Sequence, residues 1–225
     1  MTVVTLDAFD TLIALEPPVP RLVAALEGVG HPHSPGVVAS ALMGEIAFYR
    51  QHHLRGSDPG ALAELRRDAA AVLGEGLDDP PPLDLLTEIL IAALRFRLFD
   101  DTAAALDLLA ARGVRLAVVS NWDCSIPEVL TGLGIGRRFE VIVSSAEVGL
   151  AKPAVEPFLA ALGRMGIRPS EEVVHCGDQI SADGDGARAA GLTPVIIDRD
   201  GGLAEQASVA GYPRVRRLTE LADTL

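Results

Sequence analysis

Thr2-Val3-Val4-Thr5-Leu6-Asp7-Ala8-Phe9-Asp10-Thr11-Leu12 opens the chain with a β-branched apolar run that stops at a carboxylate. A continuous apolar run this short reads as a fully buried strand. Four later runs share its character: Val114 to Val119, Phe139 to Val143, Val173 to Cys176 and Pro194 to Ile197. Amphipathic stretches separate them, at Thr102 to Arg112, Ile126 to Leu133, Val155 to Met165 and Ser181 to Ala190. Apolar strands alternating with helices are the pattern of a parallel sheet covered on both faces. The expectation is therefore an α/β, doubly wound, five-stranded parallel sheet.

The alternation breaks between about Ile13 and Leu98. Apolar residues there recur at helical spacing (Leu22, Val23, Leu26; Leu62, Leu65, Ala69, Val72; Leu85, Leu86, Ile89, Leu90), and Pro/Gly clusters separate the segments. This predicts a bundle of about four helices inserted after the first strand. The domain expectation is residues 1–13 with 99–225 for the sheet, and 14–98 for a helical cap.

Composition narrows the function classes. The chain has 225 residues, 49% of them hydrophobic, and a formal net charge of −12. Such acidity argues against nucleic acid, whose phosphates need basic neutralisation, and against anionic membrane surfaces. No apolar run approaches the ~20 residues that span a bilayer, and Met1 leads straight into a strand-like segment, so a cytoplasmic protein is expected. Cys124 and Cys176 show no CxxC spacing and read as reduced thiols. Among nineteen basic residues there is a single lysine, Lys152, in Gly149-Leu150-Ala151-Lys152-Pro153. In a chain so committed to arginine, lysine marks a place where a compact point charge fits and a planar guanidinium does not.

Chemistry-bearing residues follow the strand-like runs. They are Asp7 with Thr11, Ser120-Asn121, and Gly177-Asp178 with Asp183, with Lys152 between the second and third sets. Open α/β sheets bind ligands at the carboxyl ends of their strands. Taken together and in this order, the segments resemble the haloacid dehalogenase-like hydrolase superfamily, over most of the chain. The resemblance implies a Rossmann-like core with a helical cap. It also implies the spatial strand order Phe139, Val114, Thr2, Val173, Pro194.

The same resemblance implies roles. Asp7 is the nucleophile that attacks phosphorus and forms an aspartyl-phosphate, splitting one hard step into two. Thr11 and Ser120 hydrogen-bond the phosphoryl oxygens, and the Asn121 amide orients substrate. Lys152 balances the crowded negative charge. Mg²⁺ is held by Asp7, Asp178 and the main-chain carbonyl of Phe9, with Asp183 completing the acidic set, either through water or on the lysine. Carboxylates this close repel unless a cation sits among them. The implied activity is that of a Mg²⁺-dependent phosphatase acting on a small phosphorylated metabolite, as a monomer or homodimer.

One departure matters. Phosphatases of the superfamily carry a second Asp two residues after the nucleophile, as general acid and then base, and Phe9 stands there. Asp10 follows, and neighbouring residues on an extended segment point to opposite sides. General acid–base catalysis contributes ~10²–10⁴-fold, so its loss implies a slow enzyme or one restricted to good leaving groups. The dehalogenase branch also lacks that Asp, which makes 2-haloacid dehalogenation the alternative, but it needs no metal and has serine where Asp178 stands. A catalytically weak binding or regulatory protein is a third reading, since fold alone does not fix function. The Schiff-base chemistry of the phosphonoacetaldehyde branch is excluded, because the helical insert has no lysine. Ser181 to Gly186 imitates the start of an EF-hand loop but has Leu192 where the bidentate Glu belongs. The glycines of Gly132 to Gly136 do not follow the first strand, so a dinucleotide fingerprint is unsupported.

Overall fold

Val3–Leu6 (β1) lies in the interior of a parallel sheet in the computed structural model, which describes residues 2–170 and 172–225. The chain continues through β2 (Ile13–Leu15) into four helices, α1 (Val19–Gly28), α2 (Pro35–His52), α3 (Pro59–Glu75) and α4 (Leu83–Ala93). It returns through β3 (Phe96–Leu98), which pairs with β2 as a separate two-stranded sheet. The alternating part then runs α5 (Thr102–Ala111), β4 (Arg115–Ser120), α6 (Ile126–Gly132), β5 (Val141–Ser144), α7 (Ser145–Val148) and α8 (Glu156–Arg164). It ends with β6 (Val173–Gly177), α9 (Gly186–Ala189), β7 (Thr193–Ile197), α10 (Ala204–Ala210) and β8 (Arg214–Val215).

The sheet order is β5-β4-β1-β6-β7-β8, with every pairing parallel. Five of these strands stand in the order the family resemblance implied; the count is corrected from five to six. The sixth, β8, has two residues, too few for any apolar run or alternation to show. Main-chain bonds from Ile196 to the Pro213 carbonyl and from Asp198 to the Val215 carbonyl hold it at the edge, both 2.8 Å.

Residues 1–14 and 97–225 form one compact unit. Its strands are apolar on both sides because helices cover both faces. Val3, Ala117, Val119 and Val143 pack with Phe158, Leu162 and Met165 on one of them. A second difference from the sequence reading falls at Ser181 to Ala190, expected as one helix. Ile180–Asp185 instead forms a π-helical turn before α9. Such widened turns are rare and concentrate at functional sites.

Residues 15–96 form the second unit. Ser34 and Asp58 cap α2 and α3 by accepting from main-chain amides in their first turns, and Pro35 and Pro59 begin those helices. Leu22, Leu26, Leu73, Leu86 and Leu90 centre its core. The buried face of α2 reads Val38, Ala41, Leu42 and, at the same helical spacing, Glu45. Glu45 is 4% exposed, and burial pushes its carboxyl up to about 7. His52 and His53 turn their rings back on the carbonyls of Phe48 and Arg50, as at an ordinary helix end.

Cys124 and Cys176 are free thiols, as the sequence predicted. No helix among the described residues is long and apolar enough to cross a membrane.

Candidate active site

Three strand ends and one loop build the site. The Asp7 amide donates to the Cys176 carbonyl of β6 at 2.9 Å, which fixes the backbone one residue past β1. Ser120 ends β4 and is buried. Lys152 arrives on the loop after α7, where Gly149 takes a φ of 83°, a left-handed turn that glycine adopts without a Cβ clash. Asp178 follows β6, and Asp183 lies within the π-helical turn.

These groups converge on the lysine. Nζ of Lys152 donates to Asp183 Oδ1 at 2.6 Å, Asp7 Oδ1 at 2.7 Å and the Val119 carbonyl at 2.8 Å. An ammonium has three N–H donors, and all three are used. The Lys152 side chain is only 2% exposed. Burial works against its charge, but Asp183 and Asp7 outweigh burial and hold its pKa above the ordinary lysine value. Burial would likewise raise Asp183, yet Lys152 and His175 hold it well below the usual carboxylate range. Burial, with help from Asp183, raises Asp7 against the pull of Lys152.

Asp7, Asp178 and Asp183 each present an oxygen within 4.8 Å of the others. They are not equivalent. Asp183 has Oδ1 on Lys152 and within 3.1 Å of His175 Nε2, while its Oδ2 accepts from the Gln179 amide at 2.9 Å. Both of its oxygens already accept from protein donors, so Asp7 and Asp178 are the more available of the three for a cation. Asp178 Oδ1 is buried with no hydrogen-bond partner among the described residues. Burial, then the charges of Asp7, Asp183 and Asp10, push Asp178 up to about 8. One ammonium facing three carboxylates leaves an excess of negative charge, which a hard divalent cation with oxygen ligands would balance.

The remaining candidates fall into place unevenly. Thr11 is fully buried, and its hydroxyl has no hydrogen-bond partner among the described residues. Asn121, expected to orient substrate, has its side-chain amide on the backbone of Lys152. Its Nδ2 donates to the Lys152 carbonyl at 2.9 Å and its Oδ1 accepts from the Lys152 amide at 2.7 Å, so it clamps the lysine's backbone. The Phe9 ring is half-buried, 6.2 Å from the Trp122 ring. Asp10 is exposed, with a φ of 55° that its neighbours do not share. A cavity of about 810 Å³ opens beside it, with Asp178, Gln179, Phe99, Arg199 and Gln206 among its walls.

Two groups escaped the sequence reading. Arg199 stacks 3.8 Å over the Phe99 ring, donates to Asp101 at 2.9 Å and donates to the Thr11 carbonyl at 2.6 Å, bracing the loop after β1. His175 lies inside β6, fully buried, with Nδ1 2.8 Å from the Thr5 hydroxyl. A signal for the second was present: Thr5 and His175 are polar members of otherwise apolar strand interiors.

A family model described as haloacid dehalogenase-like hydrolase matches residues 1–191. Haloacid dehalogenase-like hydrolase domain-containing protein 3 of Mus musculus is 28% identical over 211 residues, 88% of this chain and 82% of that protein. A glyceraldehyde 3-phosphate phosphatase of Methanothermobacter thermautotrophicus is 34% identical over 132 residues, 55% of this chain and 56% of that protein. The structure of L-2-haloacid dehalogenase from Xanthobacter autotrophicus superposes with a TM-score of 0.70 at 19% identity, covering 99% of this chain and 97% of that one.

Proposed function

The chain belongs to the haloacid dehalogenase-like hydrolases, and from that premise we propose that it is a Mg²⁺-dependent phosphatase acting on a small phosphorylated metabolite. The observation that carries this reading is Asp178, a half-buried carboxylate whose buried Oδ1 has no hydrogen-bond partner among the described residues, and which burial and the charges of Asp7, Asp183 and Asp10 raise to about 8. A dehalogenase that works without metal has no use for this charge. The identity with a relative named as a phosphatase supports the same choice.

Asp7, Asp178 and the main-chain carbonyl of Phe9 would hold the Mg²⁺, which when bound supplies positive charge to phosphoryl oxygens. Asp7 is the nucleophile. With Oδ1 fixed by Lys152, its Oδ2 attacks phosphorus, the ester P–O bond breaks, and an aspartyl-phosphate and an alkoxide result. Water then hydrolyses the acyl phosphate and restores the carboxylate. The Thr11 and Ser120 hydroxyls donate to the phosphoryl oxygens. Lys152 favours the ionised form of Asp7 against the effect of burial, and faces the charge that builds during transfer. Asn121 keeps the lysine's backbone in register through its paired amide contacts.

Phe9 sets the limit of this chemistry. No carboxylic acid stands at that position, so the alkoxide leaves unprotonated or takes its proton from solvent or from the substrate. Good leaving groups such as aryl and acyl phosphates are favoured.

A panel of phosphate monoesters assayed with Mg²⁺ and with EDTA, beside 2-haloacids under both conditions, tests the reading. Phosphate release that needs Mg²⁺ and vanishes in Asp7→Asn supports it. Halide release that persists in EDTA would replace it with the dehalogenase activity.

A further inference from the structure

We infer that His175 is a positioning residue, which with Thr5 orients Asp183 so that Lys152 is held over Asp7. Thr5 and His175 are register partners on β1 and β6, so their side chains emerge on the same face of the sheet. Two residues on, Asp7 and Gly177 return to that face. The assembly is thus a ladder across two strands, Thr5 with His175 on one rung and Asp7 with Gly177 on the next.

Each rung has a physical reason. Asp183 is ionised and only accepts hydrogen bonds, so the imidazole nitrogen that faces it at 3.1 Å is a donor, Nε2–H. The ring is fully buried beside the Lys152 ammonium, which favours its neutral form, and Nδ1 is then an acceptor. The Thr5 hydroxyl, 2.8 Å away, donates to it and so fixes the tautomer. Phe158 meets the ring edge-on at 4.8 Å and restricts its tilt. Gly177 supplies the space: a Cβ there would lie 2.2 Å from Asp183 Cγ. Asp183 is therefore held by His175 from below, by the Gln179 amide on its other oxygen, and by Lys152 on the site side. Removing the imidazole frees one side of the carboxylate that aims the lysine. A displacement of ~1 Å at a reacting group can lower the rate on the order of 10²-fold.

This inference rests on the proposed phosphatase activity only for its kinetic test, because the lone lysine gives a second readout that needs no turnover. Full-length protein labelled with [¹⁵N]lysine has one side-chain ammonium resonance, from Lys152. In the wild type that signal should persist at neutral pH, since the buried ammonium is shielded from exchange. His175→Leu should broaden or shift it. His175→Gln, whose amide N–H can take the place of Nε2–H, should largely restore it, and Thr5→Val should give an intermediate result. With p-nitrophenyl phosphate and Mg²⁺, kcat should fall about tenfold or more in His175→Leu while KM changes less than twofold, with partial recovery in His175→Gln.

An unchanged lysine resonance in His175→Leu overturns the inference, whatever the activity. So does a kcat within twofold of wild type. If the leucine variant does not fold, Thr5→Val decides: wild-type resonance and wild-type kcat together would overturn the inference. Absence of any phosphatase activity in the wild type refutes the proposed function and leaves the resonance test standing.

Discussion

Replacing Lys152 by arginine keeps the charge and changes only its shape, which isolates what the ammonium geometry contributes. The three acceptors of Nζ lie 2.6, 2.7 and 2.8 Å from a single atom, and the side chain is 2% exposed. A guanidinium spreads its donors over three nitrogens in a plane and is bulkier, so it cannot satisfy three acceptors that converge on one point. It has to displace Asp7 or Asp183, or protrude into the space where phosphorus is attacked. Loss of a preorganised charge at such a place typically costs about 10²–10³ in kcat, roughly 3–4 kcal/mol of barrier. Lys152→Arg should therefore approach Lys152→Ala in its loss of kcat on p-nitrophenyl phosphate with saturating Mg²⁺. A circular dichroism melt of each variant separates misfolding from misplacement. An arginine variant that keeps more than a tenth of the wild-type kcat would falsify the geometric argument and leave charge alone as the lysine's contribution.

Three further outcomes follow from other parts of the molecule. Glu45 titrates at about 7 when folded against 4.5 otherwise, so the folded state resists its ionisation. Wild-type stability relative to Glu45→Gln should be highest below pH 4.5, fall as pH rises from 4.5 to 7 by at most about 3 kcal/mol, and then level off. Urea titrations of both proteins from pH 4 to 8 test this, and a pH-independent difference would refute it. Phe9→Asp should flatten the dependence of kcat/KM on leaving-group basicity, with the largest gains on sugar phosphates, whereas Asp10→Asn should change that slope little. Selective loss of poor leaving groups in Asp10→Asn would show that Asp10 is the displaced acid. Gly177→Ala places a methyl group 2.2 Å from Asp183 Cγ, and kcat should fall on the order of 100-fold. A structure of that variant with Asp183 still on Lys152 would contradict the packing argument.

The strands that carry Asp7, Ser120 and Asp178 were legible because burial on both faces forces continuous apolar runs, each ended by a polar residue. Their order in the sheet was legible only through the family resemblance. What escaped had weaker local signals. The edge strand Arg214–Val215 is too short to carry a pattern, and the π-helical turn arises from tertiary demand. Its sequence is compatible with a regular helix, but Asp183 has to reach Lys152, His175 and the Gln179 amide at once. The backbone contacts of Asn121 were hidden for a related reason. A short amide after a strand serves equally for a ligand or for a distant main chain, and only the fold brings the Lys152 backbone to it. His175 and Thr5 could have been flagged as polar residues inside buried strands. Their partnership, though, is a matter of register between strands far apart in the chain.

Burying the lone lysine also decides how this protein meets electrophiles. With Nζ protonated and enclosed by Asp7, Asp183 and Val119, no ε-amine among the described residues faces solvent. Acylating agents, aldehydes and amine-directed crosslinkers act on unprotonated, accessible amines, so Lys152 is spared while the native structure persists. The eighteen arginines, which supply the rest of the chain's permanent positive charge, stay protonated and resist the same reagents. Covalent capture of Lys152 is thus a marker of opening: its acylation can proceed no faster than the site loosens.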